Sequence, residues 1–109
     1  MYMTPKNLNK TEKAIWEHLG KILDPELGID LVNLGLIYKV TATEEGATIL
    51  MTLTTPGCPL AHVFDALVKD GLVGIPDLDP YRDVTVTLTF DPPWITDMMS
   101  DEAKAELGF

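Results

Sequence analysis

Cysteine occurs once in the 109 residues, at position 58, and arginine once, at position 82. A single cysteine excludes an intrachain disulfide, and with it a disulfide framework. Cys58 and the two histidines also fall short of the four Cys or His ligands of a closed structural zinc or iron–sulfur site. Basic residues are scarce as well: eight Lys and Arg face 17 Asp and Glu, a net charge of −9. That balance argues against a nucleic-acid footprint, which needs clustered cations to displace counterions from phosphates, and against an anionic membrane surface. No hydrophobic run approaches membrane-spanning length, and Met1–Lys6 lacks the apolar core of a signal peptide. The expectation is a soluble protein of the reducing cytoplasm, with proteins, cations or metal ions as partners.

What is present suits one domain over residues 1–109, with 46% hydrophobic and 23% charged residues and no internal repeat. Asn9 and Glu12 form a capping-box pattern with Leu8 as a staple, and Ile15, Trp16, Leu19, Ile22 and Leu23 follow at helical spacing. Asp24-Pro25 should end that helix, because the residue before proline is pushed out of the α region. A loop-rich stretch runs to Gly35, with room for one helical turn after Asp30. Leu36–Thr43 and Ala47–Thr54 read as strands joined by Glu44-Glu45-Gly46, an antiparallel hairpin.

After Pro59, an apolar stripe of Leu60, Val63, Phe64, Leu67, Val68 and Leu72 predicts a second helix ending at Gly71 to Gly74. Ile75–Asp83 reads as a loop. Val84, Val86, Leu88 and Phe90 alternate with threonines as a third strand, and Ser100 caps a last helix that stops near Gly108. The order α-β-β-α-β-α implies an α/β (α+β) two-layer sandwich, its small three-stranded sheet covered by helices on one face. A parallel pairing of the second and third strands would require a right-handed crossover. The pattern leaves open which earlier strand the third one joins.

Cys58 is the leading candidate for chemistry. It lies in Thr54-Thr55-Pro56-Gly57-Cys58-Pro59, where strand pattern gives way to helix pattern. A proline just inside a helix start makes the preceding cysteine the N-cap, where free N–H groups and the helix dipole stabilise a thiolate. A lone cysteine is more often a small buried hydrophobe, and on the residues alone the two readings balance. His62, four residues on, would share a helical face with Cys58 and could ligate a metal or help ionise the thiol. Its place on the polar side favours a solvated surface histidine.

Asp24 and Glu26 could add oxygen ligands, but an aspartate before proline is commonly a turn former, and on these grounds the turn reading prevails. Asn33 and Gly35 are explained in the same way. Trp94, after the stiff Asp91-Pro92-Pro93, serves equally well as core cover or as a partner-binding anchor. Met98 and Met99 read as packing residues.

Three ordered motifs, Asp24-Pro25-Glu26 through Tyr38, Thr54 through Pro59, and Phe90-Asp91-Pro92-Pro93-Trp94, resemble the PaaD/SufT-like family. That family of small proteins is associated with iron–sulfur cluster assembly and was long catalogued as a domain of unknown function. The resemblance spans nearly the whole chain. It implies an α/β domain, frequently a homodimer, that helps clusters reach apoproteins through contacts with assembly proteins or clients.

It also implies that the motif cysteine falls on Cys58, the functional thiol or cluster or metal ligand, and the acidic motif on Asp24 and Glu26. Thr55 matches the motif threonine, whose hydroxyl could bond the sulfur or the loop backbone. A transient iron–sulfur cluster or iron is implied, with no permanent cofactor. The Ile75–Asp83 segment is longer and more acidic than the family's compact turn, which bears on partner choice.

An accessory factor that is not a catalyst is the leading expectation. A thiol-dependent redox enzyme is the alternative, on the Thr55-Pro56-Gly57-Cys58 pattern. A KH-like nucleic-acid module, on Gly71-Leu72-Val73-Gly74, is opposed by the acidic charge.

Overall fold

Asn9 starts the first helix as its pattern predicts. In the computed structural model, which describes residues 8–54 and 61–108, the Asn9 side chain accepts from the Glu12 N–H at 2.8 Å and the Glu12 carboxylate accepts from the Asn9 N–H at 3.0 Å. Helix α1, Lys10–Leu19, buries Ile15, Trp16 and Leu19. It stops five residues short of the expected Asp24, because Ile22 and Leu23 leave the helical path. The Ile22 carbonyl accepts from Leu31, Leu23 bridges to Asp30, and a Cβ on Gly71 would collide with the Ile22 side chain.

Strands β1, Ile37–Thr43, and β2, Gly46–Met51, form the predicted antiparallel hairpin, with a register shift between Ile37 and Lys39. β1 is an edge strand. The start of α1 covers part of that edge: the second Glu12 oxygen accepts from the Ala42 N–H, and Asn9 Nδ2 donates to the Ala42 carbonyl, both at 2.9 Å. Gly46 is needed at φ +144°, since a Cβ there would lie 2.6 Å from the Asp83 carbonyl oxygen.

Helix α2, Ala61–Gly71, buries Phe64 and Val68 on its expected stripe, whereas Val63 is exposed. The segment read as a loop contains a one-turn helix, α3, Pro80–Asp83, capped by Asp79 with Pro80 in its first turn. Tyr81 of α3 donates to Asp70 of α2 at 2.6 Å, and this bond holds the phenol above its ordinary pKa. Strand β3, Val84–Leu88, then pairs with β2 in parallel, giving the order β1-β2-β3. That settles the pairing the sequence left open.

Val40, Ala42, Ala47, Ile49, Met51 and Val84 point into the core with α1 and α2, while Thr41, Thr48, Thr85 and Thr87 stay exposed on the other face. The architecture is the expected α+β arrangement of helices on a small mixed sheet. A 3-10 turn, Thr96–Met98, leads into helix α4, Asp101–Leu107, with Ser100 as N-cap and Gly108 at φ +82° as C-cap. No helix among the described residues is long and apolar enough to cross a membrane.

Candidate functional site

Cys58 and Thr55 lie outside the described residues, which flank positions 55–60 on both sides. On the strand side, Met51, Thr52 and Leu53 are buried, and the Thr52 N–H donates to the Leu36 carbonyl at 2.8 Å. On the helix side, Phe64 fixes the first turn of α2 in the core and His62 is exposed beside it. The described residues on both sides of positions 55–60 are thus anchored in the core. His62 occupies the solvated position its periodicity indicates.

The Thr52 hydroxyl is a feature the sequence reading missed. It is fully buried without a hydrogen-bond partner among the described residues. The only signal in the sequence is a threonine at an inward position where the strand becomes the Cys58 loop. Nearby, burial raises the pKa of the Tyr38 phenol above its ordinary value, and the phenol lies close enough for the Thr52 hydroxyl to draw that pKa part of the way back down.

Asp24 is buried, and its carboxylate turns back onto its own loop. Oδ1 accepts from the Glu26 N–H at 2.7 Å and the Leu27 N–H at 2.9 Å, the Asp24 carbonyl accepts from Gly28, and the Asp24 N–H donates to Ile29. This is an Asx turn closed by further backbone bonds, and it leaves Pro25, Glu26, Leu27 and Gly28 on the surface. The turn reading accounts for Asp24, while Glu26 is exposed to solvent. Among the described residues, no group of three His, Cys, Asp or Glu side chains is arranged to hold a metal ion.

The segment after the turn is clasped by the C-terminal part of the chain. Trp94 Nε1 donates to the Leu34 carbonyl and the Tyr38 hydroxyl to the Pro92 carbonyl, both at 2.7 Å, and Ser100 donates to the Asn33 carbonyl at 2.8 Å. Gly35, at φ +77°, lies so close to Met98 that a Cβ would collide with the Met98 carbonyl. Trp94 is half-buried against the core, its N–H satisfied, which is the core-cover arrangement of the two read from sequence. Met99 is buried in the core. Asn33 and Gly35 act as the turn residues they resemble, with Asp30 accepting from the Asn33 backbone and side chain.

Comparison with known proteins bears on the same regions. Residues 12–80 match the model of a family described as "Iron-sulfur cluster assembly protein". The chain is 47% identical over 102 residues to the "Fe-S protein maturation auxiliary factor YitW" of Bacillus subtilis (strain 168), covering 89% of this chain and 97% of that protein. It is 49% identical over 88 residues to the "Fe-S protein maturation auxiliary factor SufT" of Staphylococcus aureus (strain USA300), covering 80% and 97%. A solved structure of a "Domain of Unknown Function DUF59" from Bacillus anthracis superposes with a TM-score of 0.81 at 40% identity, covering 91% of this chain and 92% of that one.

Proposed function

Because the chain belongs to the iron–sulfur cluster assembly protein family, we propose that it is an accessory factor in the assembly of iron–sulfur clusters or their delivery to apoproteins. The observation that carries this reading is the matched span itself. Residues 12–80 contain both the Asp24 turn and the Cys58 loop, and the two relatives with high identity bear the name of maturation auxiliary factors.

In this reading Cys58 is the working thiol, in the segment of the sequence between β2 and α2. Its cargo is iron, a cluster or a sulfur species, bound transiently. One thiolate cannot complete a cluster's ligand set, so the remaining ligands come from a second protomer, a partner or free thiols. Incomplete ligation makes the bound state labile, which suits hand-over. Thr55 supports the thiolate, Glu26 offers an exposed carboxylate, and His62 follows Cys58 by four residues in sequence. The protein works in the cytoplasm as a homodimer in contact with assembly proteins or client apoproteins.

Anaerobic reconstitution with iron and sulfide tests the cargo. Wild type should gain visible charge-transfer absorption and shift in oligomer mass, and Cys58→Ala should do neither while keeping its fold. In cells lacking the protein, Cys58→Ala should fail to restore the activity of cluster-dependent enzymes. Full restoration by that variant would refute the role of the thiol.

A further inference from the structure

A shallow groove of about 240 Å³ runs between the 24–28 turn and α4, lined by Leu23, Gly28, Asp30, Glu102 and Glu106 among others. Three of these side chains are carboxylates, and no lysine, arginine or histidine lines it. The ion pairs among the described residues are Lys69–Asp65, Arg82–Asp83 and Lys104–Asp97, so among these residues Glu102 and Glu106 have no cationic partner, while both oxygens of Asp30 accept from Asn33. Glu102 and Glu106 stand one helical turn apart, where like charges repel, and Glu106 also sits at the negative end of α4. Glu102, in the first turn, is favoured by the same dipole, so the repulsion falls mainly on Glu106, and a cation docked between the two would relieve it.

The groove also carries exposed apolar surface. Leu23 is 55% exposed, and Leu27 on the neighbouring turn is 37% exposed. Leu23 is held outward by its bridge to Asp30, and Leu27 by the Asp24 side chain bonding the turn's backbone. Gly28, at φ +71°, has no atom within 4 Å of where a Cβ would be, so the floor is open to an incoming chain. The groove thus sets exposed apolar side chains beside the exposed carboxylates of Glu102 and Glu106, a pairing that suits an amphipathic partner.

We propose that this groove docks a basic, amphipathic helical segment of a partner protein. A leucine-like side chain of that segment covers Leu23 and Leu27, and lysines or arginines one turn apart pair with Glu102 and Glu106. A second copy of this chain is a poor occupant, because its eight Lys and Arg against 17 Asp and Glu leave it few cations to set against the carboxylate wall, whichever face a homodimer uses. The inference rests on the accessory-factor reading and deepens it: the partner is a client or assembly protein, seated next to the acidic turn that the family match contains.

The test is fluorescence anisotropy of the full chain with a labelled helical peptide carrying one leucine flanked by lysines four residues apart, at low and moderate salt. Wild type should bind with affinity falling steeply as salt rises. Glu102→Gln/Glu106→Gln should weaken binding about five-fold or more, the combined effect of two exposed charge pairs. Leu23→Ala should weaken it about three-fold or more through lost apolar contact. A scrambled peptide of the same composition should bind about as weakly as the double variant, and Glu44→Gln/Glu45→Gln, in the distant hairpin turn, should bind as wild type.

Circular dichroism confirms that the variants are folded. Absence of wild-type binding, indifference to the groove variants, or equal loss in the hairpin control would each overturn the proposal. The Cys58 reading is judged separately by the reconstitution spectrum, so the two can fail independently.

Discussion

Replacing Asp24 with alanine and with asparagine separates two roles for this buried carboxylate. Its Oδ1 accepts from the N–H groups of Glu26 and Leu27 at 2.7 and 2.9 Å. Alanine removes both bonds and leaves two donors that water reaches only in part. With a net value near 1 kcal/mol for each bond, the expected loss is about 2 kcal/mol. For a domain of this size that is roughly 8 °C in Tm, at about 4 °C per kcal/mol.

Asparagine keeps a side-chain oxygen in the same place and should recover most of that loss, because an Asx turn needs the acceptor and not the charge. Urea denaturation of wild type, Asp24→Ala and Asp24→Asn measures the three stabilities. A similar, large loss in both variants would refute the turn argument, and so would an alanine variant as stable as wild type. Cluster-enzyme rescue in cells adds the functional arm. An asparagine variant that is stable yet inactive would show that the charge serves the cargo or the partner as well.

Gly35→Ala should destabilise by more than about 3 kcal/mol, since strain at positive φ adds to a collision with the Met98 backbone that no rotamer change can relieve; thermal unfolding reads this directly. Glu12 gives a pH dependence of defined sign. Hydrogen bonds from the Asn9 and then the Ala42 N–H hold its pKa below the ordinary 4.5. A carboxylate with a depressed folded-state pKa contributes stability that is present above its unfolded value and is lost as the pH falls through the folded one. Stability should therefore decline on acidification below pH 4.5, and Glu12→Gln should flatten that limb in denaturation measured from pH 7 to pH 3.

Local patterns carried much of the fold. The Asn9–Glu12 capping box, the β1–β2 hairpin and the Ser100 and Gly108 caps are written within a few residues of where they act. The end of α1 was not legible, because Ile22 and Leu23 continue the helical stripe in sequence. Only the distant partners Leu31 and Gly71 reveal that they leave it. The short α3 was hidden because Asp79-Pro80 signals a helix start and a turn equally.

Of the candidate site, Asp24 and His62 were legible in their local roles, one as a turn former and the other as a surface residue. Cys58 and Thr55 were legible as a motif. The bonds of Trp94 to Leu34 and Tyr38 to Pro92 span 60 and 54 residues, and no local pattern encodes them. The exposed leucines beside Glu102 and Glu106 likewise come together only when α4 packs next to the turn.

The clasp formed by residues 92–100 has a consequence for what counts as the smallest working piece of this chain. The family match ends at residue 80, four residues before β3 begins. A fragment cut to that match would contain both motifs, yet β2 would lack its parallel neighbour and Leu34, Asn33 and Tyr38 would lose their partners. The stretch that the family model matches is thus shorter than the stretch that folds. Truncations designed on the matched span would discard the bonds by which residues 92–100 fasten Asn33, Leu34 and Tyr38.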